Sequence, residues 1–302
     1  MSVLKRIKYV AIGLGSAIAL LAVWGLIEPR LLNTKEETAT IPNLPADWEG
    51  KQIVQISDFQ IGMWADNPGT ARRSVEQAIE ANPAAVLVSG DFIYHAGSDP
   101  TKEIETAVSI VEPLVDAGIP TYAVLGNHDY GMSSKTADPR EQLASTLTAE
   151  LEAAGIVVLQ NESTQMQLAD GGEPLYLVAV GSLWANRDDA DAALAEVPES
   201  SPRVVLMHNP DSFERFPPNT APLAVAGHTH GGQMRIPNSP QWSWLKFTQG
   251  DEVTADGWIQ DYGQAGNNLY VNVGIGMSII PVRIFCPPEM TLFTLASGDS
   301  ET

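Results

Sequence analysis

Ile53-Val54-Gln55-Ile56-Ser57-Asp58-Phe59-Gln60-Ile61-Gly62 opens as a mostly apolar run and closes with a carboxylate and a carboxamide two positions apart. Such a run, followed at once by Ser-Asp, reads as a buried strand that ends in a polar corner. Taken alone, the corner has two readings: a metal-binding turn, or a turn in which Asp58 merely closes its own backbone. The rest of the chain decides between them. Strand-like runs at 85–89, 121–125, 203–207 and 223–226 lead into Asp91, into Asn127-His128-Asp129, into His208 and into His228-Thr229-His230. Ligands in open α/β sheets gather beyond the carboxyl ends of strands, so five such ends can converge on one crevice. Any one of them is a common turn; five together are hard to explain as caps.

Outward from these segments, further strands are expected at 156–160, 175–180, 269–273 and 290–295. Helices are expected at 69–81, 101–117 and 139–154, the first entered through Asn67-Pro68 and the last through Asp138-Pro139. The alternation argues for an α/β fold with one core, and the strand-rich later half for mixed rather than purely parallel sheets. Residues 234–268 carry Pro237, Pro240, Trp242, Trp244, Trp258 and Tyr262 without periodicity. Their aromatic residues either cover a satellite core or face a substrate.

The N-terminal thirty residues form a separate unit. Lys5, Arg6 and Lys8 precede an uncharged run from Tyr9 to Ile27, which at about 1.5 Å per residue spans about one bilayer core. The basic cluster predicts a cytoplasmic N-terminus and an extracytoplasmic remainder, a single-pass membrane protein. A cleaved signal peptide would have a shorter apolar region and a small-residue cleavage site, which Trp24 to Leu32 does not offer. Residues 1–30 are therefore expected to be an anchor, 31–49 a tether, 50–296 the globular domain and 297–302 a tail.

Composition narrows the function classes. With 302 residues and 44% hydrophobic content, the chain can bury a large core. A net charge of −20, from 37 acidic against 17 basic residues, opposes sequence-independent binding to nucleic acid or anionic lipid. A single cysteine, Cys286, rules out an intrachain disulfide and a cysteine-cluster metal site. No obligate protein partner is inferred. The five polar strand ends offer carboxylates, imidazoles and a carboxamide but no thiolate, a donor set that suits Mn, Fe, Zn or similar ions.

The blocks Asp58-Phe59-Gln60, Gly90-Asp91, Gly126-Asn127-His128-Asp129, His208 and Gly227-His228-Thr229-His230-Gly231-Gly232-Gln233 resemble, in order and spacing, the calcineurin-like metallophosphoesterase family over residues 50–296. The ending, from Asn272-Val273-Gly274 through Pro281-Val282-Arg283 to Pro287-Pro288-Glu289, further resembles the family's membrane-associated bacterial branch, of the YkuE and YaeI phosphodiesterase type. The resemblance implies a four-layer αββα sandwich of two mixed sheets, preceded by the transmembrane helix. It also implies two divalent metal ions, Mn favoured over Fe, Zn or Mg. Asp58, Gln60, Asp91 and His230 would surround one ion, and Asp91, Asn127, His208 and His228 the other. A hydroxide shared by the ions would attack phosphorus in line, with His128 as the outer-sphere acid.

Two positions depart from the family pattern. Gln60 stands where the family normally has a histidine, which implies a looser hold on one metal. Tyr94 stands where many members carry an aspartate that orients the catalytic histidine, and Asp129 is an alternative orienter. Arg283 is either a phosphate clamp or a salt-bridged strand residue. The resemblance favours a membrane-anchored phosphodiesterase or a hydrolase of lipid-linked phosphate over a protein phosphatase, because Asp91 is not continued as Asp-Arg-Gly. The alternative is a catalytically weakened, metal-poor binding or scaffold protein at the membrane surface.

Overall fold

The computed structural model describes residues 2–94, 97, 99–237, 239–243, 256–259 and 261–298; His95, Trp244 and the 299–302 part of the expected tail lie outside the described residues. The first half runs α1 (Val3–Ile27), β1 (Asn33–Pro42), β2 (Gln52–Ile56), α2 (Pro68–Ala81), β3 (Ala85–Val88), α3 (Thr101–Asp116), β4 (Thr121–Ala123), α4 (Glu141–Ala153) and β5 (Val157–Val158). The second half runs β6 (Glu162–Met166), β7 (Leu175–Ala179), α5 (Ala190–Leu194), β8 (Arg203–Leu206), β9 (Ala224–Ala226), β10 (Arg235–Ile236), β11 (Ser239–Ser243), β12 (Gly257–Ile259), β13 (Leu269–Val271) and β14 (Glu289–Gly298).

Two six-stranded mixed sheets result, ordered β1-β14-β2-β3-β4-β5 and β12-β13-β9-β8-β7-β6, with β10 and β11 as a separate ribbon. In the first sheet β2, β3, β4 and β5 are parallel and β14 runs antiparallel to β2. In the second, β7, β8, β9 and β13 are parallel, flanked by antiparallel β6 and β12.

Alternation along each strand builds the layers. Val54, Ile56, Val86 and Val88 pack under α2, α3 and α4 with Val75, Ile110 and Leu147. Ile53 and Leu87 point the other way, against Leu177, Val204, Leu206 and Tyr270 of the second sheet. The far face of that sheet, including Val178, Val205 and Val271, is covered by Ala190 and Ala193 of α5 and by Phe213 and Phe216 around the short helical turn Pro210–Arg215. The architecture is thus the expected four-layer αββα sandwich.

The 31–49 segment is not a tether. Its residues 33–42 form β1, paired in parallel with β14 over ten positions, and Trp48 is fully buried with its indole N–H donating to the Glu173 carbonyl. The segment Thr34-Lys35-Glu36-Glu37-Thr38 gives no apolar run because β1 is an edge strand with one side in water. Edge strands β6 and β12 escape a hydrophobic-pattern reading for the same reason. Within 234–268, Trp258 and Tyr262 are packing residues: Trp258 meets Tyr270 and Phe293 edge to face, and Tyr262 stacks on Phe213. Trp242 is exposed.

Among the described residues, α1 is the one helix long and apolar enough to cross a membrane, with almost no surface buried against the domain. Its end is nevertheless fastened. Gly25 packs on Val282 and Ile284, and the buried Glu28 carboxylate accepts the Phe285 and Cys286 N–H groups at 2.9 and 2.5 Å. Asn67 and Thr70 both donate to the Pro29 carbonyl, at 2.7 and 3.1 Å.

Candidate metal centre

The carboxyl ends of β2, β3 and β4 in one sheet and of β8 and β9 in the other meet at one end of the sandwich. Just below that meeting point, the buried Gln55 carboxamide donates to Ser89 Oγ and to the Ala226 carbonyl, both at 2.8 Å, and so ties the sheets together. Beyond it the backbone bends sharply. Asp58, Gln60, Asp91, His228 and His230 all hold left-handed φ between 49° and 71°. Non-glycine residues adopt this region at a cost of about 1 kcal/mol or more each, so five together mark a site whose side-chain aim has been favoured over backbone comfort.

Space was also cleared. A Cβ on Gly126 would lie 2.1 Å from Asp91 Oδ1, and one on Gly227 would lie 1.9 Å from Ser57 Oγ and 2.5 Å from Asp58 Oδ2. Only glycine lets the two sheets' loops close this far.

All seven expected ligands come together. The ligand atoms of Asp91, His208 and His228 lie within 4.8 Å of one another, and so do those of Asp58, Asp91 and His230, so Asp91 is common to both groups. His208 Nε2 is 3.3 Å from Asp91 Oδ2, 3.2 Å from Asn127 Oδ1 and 3.2 Å from His228 Nδ1. On the other side, Gln60 Nε2 lies 2.8 Å from Asp91 Oδ2 and 3.2 Å from His230 Nε2, which is 3.6 Å from Asp58 Oδ1. His208 Nδ1 sits 2.7 Å from the Ser89 carbonyl, which fixes that nitrogen as the N–H and turns Nε2 to the cluster.

This donor set fits divalent cations. Gln60 Oε1 and His230 Nδ1 are buried with no hydrogen-bond partner among the described residues. A half-turn of the Gln60 amide exchanges two atoms of nearly equal size, which would put its oxygen toward Asp91 and His230 as a cation ligand requires. Ring nitrogens and carboxylate oxygens crowd together here without enough protons to satisfy them, an arrangement that cations relieve.

The electrostatics agree. Burial pushes Asp58 up to about 7, with Asp91 adding to the effect and His208 opposing it. Burial would raise Asp91 too, but His208, His128 and His228 hold it well below the usual carboxylate range. Burial lowers His208, yet Asp91 more than reverses this and lifts it to about 9. His228 falls far below normal, by burial and by its neighbour His208; burial and then Arg283 lower His230 to about 3.

At neutral pH His208 therefore keeps a proton and Asp58 holds one far more readily than an ordinary aspartate, where a cation would need both groups bare. Cation binding must release these protons, so apparent affinity should rise as pH climbs through about 7 toward 9 and fall below it. Calorimetric titration with Mn at pH 7 in two buffers of different ionisation heat should show about one proton or more released. Buffer-independent heats would contradict this.

The group that orients His128 is not the expected one. His128 Nδ1 is 2.9 Å from the Tyr94 carbonyl, and its ring stacks on the Tyr94 ring at 4.6 Å, so the backbone of residue 94 orients it. The Tyr94 hydroxyl instead accepts the Ile279 N–H at 3.0 Å. Asp129 is not the orienter of His128. Its carboxylate accepts the N–H groups of Asp91, Ile93 and Gly126 at 2.8–3.1 Å and binds two ligand loops together. Burial and Asp91 push it up to about 8 while these donors pull the other way. Arg283 is neither a phosphate clamp nor a salt-bridged strand residue: it is fully buried and donates to the carbonyls of Val273, Gly274, Gly276 and Cys286.

A cavity of about 130 Å³ opens over the cluster, lined by His128, His228, Trp184, Ser133, Ile279 and Ile280 among others. Trp184 meets His228 edge-on at 4.8 Å, and the Lys135 ammonium lies over the Trp184 ring at 5.9 Å from its centre. Sequence reasoning missed Trp184, although Gly181-Ser182-Leu183-Trp184 also follows a strand carboxyl end.

The profile of calcineurin-like phosphoesterases matches residues 51–232, a stretch that contains every one of these ligands. The chain belongs to the calcineurin-like phosphoesterase family. It is 25% identical over 273 residues to the uncharacterized metallophosphoesterase YkuE of Bacillus subtilis, covering 90% of this chain and 88% of that one. It is 29% identical over 222 residues to the phosphodiesterase YaeI of Escherichia coli, covering 74% of each. It is also 25% identical over 310 residues to the UDP-2,3-diacylglucosamine pyrophosphatase LpxG of Chlamydia trachomatis, covering 88% of this chain and 90% of that one. As a calcineurin-like phosphoesterase the protein is a metal-dependent hydrolase of phosphoric esters.

Proposed function

We propose that the chain is a membrane-anchored phosphodiesterase or lipid-linked phosphohydrolase whose cluster holds two divalent cations, Mn favoured. Asp58, Gln60, Asp91 and His230 hold one, and Asp91, Asn127, His208 and His228 hold the other. The single observation that carries this reading is Asp91's place in both ligand groups. Residues 1–30 are the anchor, with the N-terminus cytoplasmic and the hydrolase on the extracytoplasmic side. Lys5, Arg6 and Lys8 ahead of the apolar helix support that orientation. The lipid-linked substrate is supported by the LpxG relative, whose name specifies a diacylated sugar nucleotide.

When bound, the two cations would lower the pKa of water and offset charge on phosphoryl oxygens. The chain's own residues do the rest. Its left-handed ligand loops set the donors in advance, so little reorganisation remains at the moment of reaction. His128, whose Nδ1–H donates to the Tyr94 carbonyl, presents Nε2, which in the imidazolium form would give its proton to the leaving oxygen. Trp184, Ile279 and Ile280 give the cavity apolar walls that limit bulk water.

The full chain, purified in detergent, should bind two Mn ions and hydrolyse bis-p-nitrophenyl phosphate when Mn is supplied. No turnover with any divalent metal, together with fewer than one ion bound per chain, would restore the scaffold alternative.

A further inference from the structure

The mouth of the cavity and the end of α1 share one short piece of chain. Ile279 and Ile280 line the cavity beside His128 and His230, while Val282 and Ile284 pack on Gly25 and the Arg283 N–H donates to the Gly25 carbonyl at 3.0 Å. Val282 is three positions beyond Ile279, a stretch that spans at most about 11 Å when fully extended. Several bonds hold the end of the helix at this position. Gly25, Glu28 and Pro29 are each bonded into the domain, and the Arg73 guanidinium donates to the Arg30 carbonyl at 2.8 Å.

Large apolar side chains stand in water around this junction. Trp64 is 71% exposed and its indole N–H donates to the Ile279 carbonyl at 3.2 Å, so the ring rests on the lip of the cavity. Ile279 is itself 59% exposed, and Phe285 is 44% exposed next to the Glu28 contact. A second hollow, between Trp24, Leu31, Pro237 and Phe285, joins the helix end to the domain surface. None of these side chains carries a charge. Elsewhere the chain is strongly acidic, so attraction to anionic headgroups does not account for a membrane contact here. Tryptophan and other apolar side chains beside the end of an apolar helix match the interfacial zone of a bilayer, where an indole can bury its ring and keep its N–H bonded.

We propose that Trp64, Ile279 and Phe285 form an interfacial surface that seats the catalytic domain on the bilayer receiving α1, with the cavity mouth at headgroup level. The occupant is the lipid surface itself. The inference rests on α1 being a membrane anchor, and it goes further by fixing which face of the domain the anchor presses onto the membrane. The site would then draw its phosphoesters from the bilayer surface, with the lip displacing water from the mouth.

The test uses the full chain reconstituted in phosphatidylcholine vesicles, with a polarity-sensitive fluorophore on a single introduced cysteine. The native Cys286 is buried, and unsubstituted protein treated with the same reagent gives the background. Probes at Trp64→Cys and Phe285→Cys should emit further to the blue than one at Glu199→Cys and be quenched by doxyl-labelled phosphatidylcholine. Trp24→Cys, within the helix, marks full quenching. Glu199→Cys, in the exposed loop before β8 and so at the opposite end of the strands from the site, should not be quenched. Quenching at Trp24 with none at Trp64 and Phe285 would overturn the surface and leave the anchor standing; no quenching at any position would overturn both. Because these readouts do not depend on turnover, an inactive protein would count against the hydrolase reading alone.

Discussion

Asp91→Asn should lower kcat/KM by about 10³ or more, roughly 4 kcal/mol of transition-state stabilisation, and leave fewer than two cations bound. Asp91 is the one side chain common to both ligand groups. Its Oδ2 faces His208 Nε2 and Gln60 Nε2, and its Oδ1 accepts the His128 N–H at 2.9 Å. Asparagine keeps the shape and can still accept from His128, so the loop has no steric reason to move. What changes is Oδ2: an NH₂ group there would confront donors and cations that need an anion. Losing His228 alone would remove one ligand from one group, whereas this substitution weakens both groups together. Metal analysis beside an assay on bis-p-nitrophenyl phosphate measures the effect, with circular dichroism to check folding. A variant that keeps two ions and more than a tenth of the activity would contradict the shared position of Asp91.

The ligands were legible in the sequence because each follows a strand and most adjoin a glycine, two local features that need no knowledge of long-range packing. Strands apolar enough to be buried on both faces, such as Ile53–Ile56, carried the α/β fold with mixed sheets, while the αββα layering was implied by the family resemblance. β1 was not legible, because a ten-residue edge strand gains its stability from backbone pairing with β14 and leaves polar side chains in water. Asp129 misled for a related reason. An aspartate beside a catalytic histidine suggests a side-chain contact, but its partners turned out to be three backbone amides, which no residue type announces. The orienting group for His128 is likewise a backbone carbonyl, available from any residue at position 94. Arg283 could not be assigned because its partners are four carbonyls gathered by tertiary folding.

Those carbonyls make Arg283→Lys the most damaging single change expected away from the ligands. Arg283 is fully buried, and no hydrogen bond it makes among the described residues reaches a carboxylate. Its Nε donates to Gly276 O at 3.0 Å, Nη1 to Cys286 O at 3.1 Å, and Nη2 to Val273 O and Gly274 O at 2.9 and 3.1 Å. A planar fork of five donors can reach this ring of acceptors at once, whereas an ammonium has three donors around one point. Lysine would leave buried carbonyls unpaired while still burying a charge, at a cost of about 3–5 kcal/mol. For a domain of this size that lowers Tm by about 10 °C. The damage should also reach the metal centre, because the same turn holds the first ligand corner. Ile275 N donates to Ser57 O at 2.9 Å, Gly276 N donates to Asp58 O at 2.6 Å, and a Cβ on Gly276 would sit 2.5 Å from Phe59 O. If the 273–276 turn relaxes, Asp58 and Gln60 lose the support for their left-handed backbones. Arg283→Lys measured well below its Tm should therefore bind cations more weakly while Asp91, His208 and His228 remain intact. Thermal melting of the full chain with and without Mn reads both effects: a lower Tm without metal, and a smaller rise when metal is added. A Tm within about 2 °C of the parent, less than the shift expected for even 1 kcal/mol, would mean that the carbonyl cage does not depend on the fork.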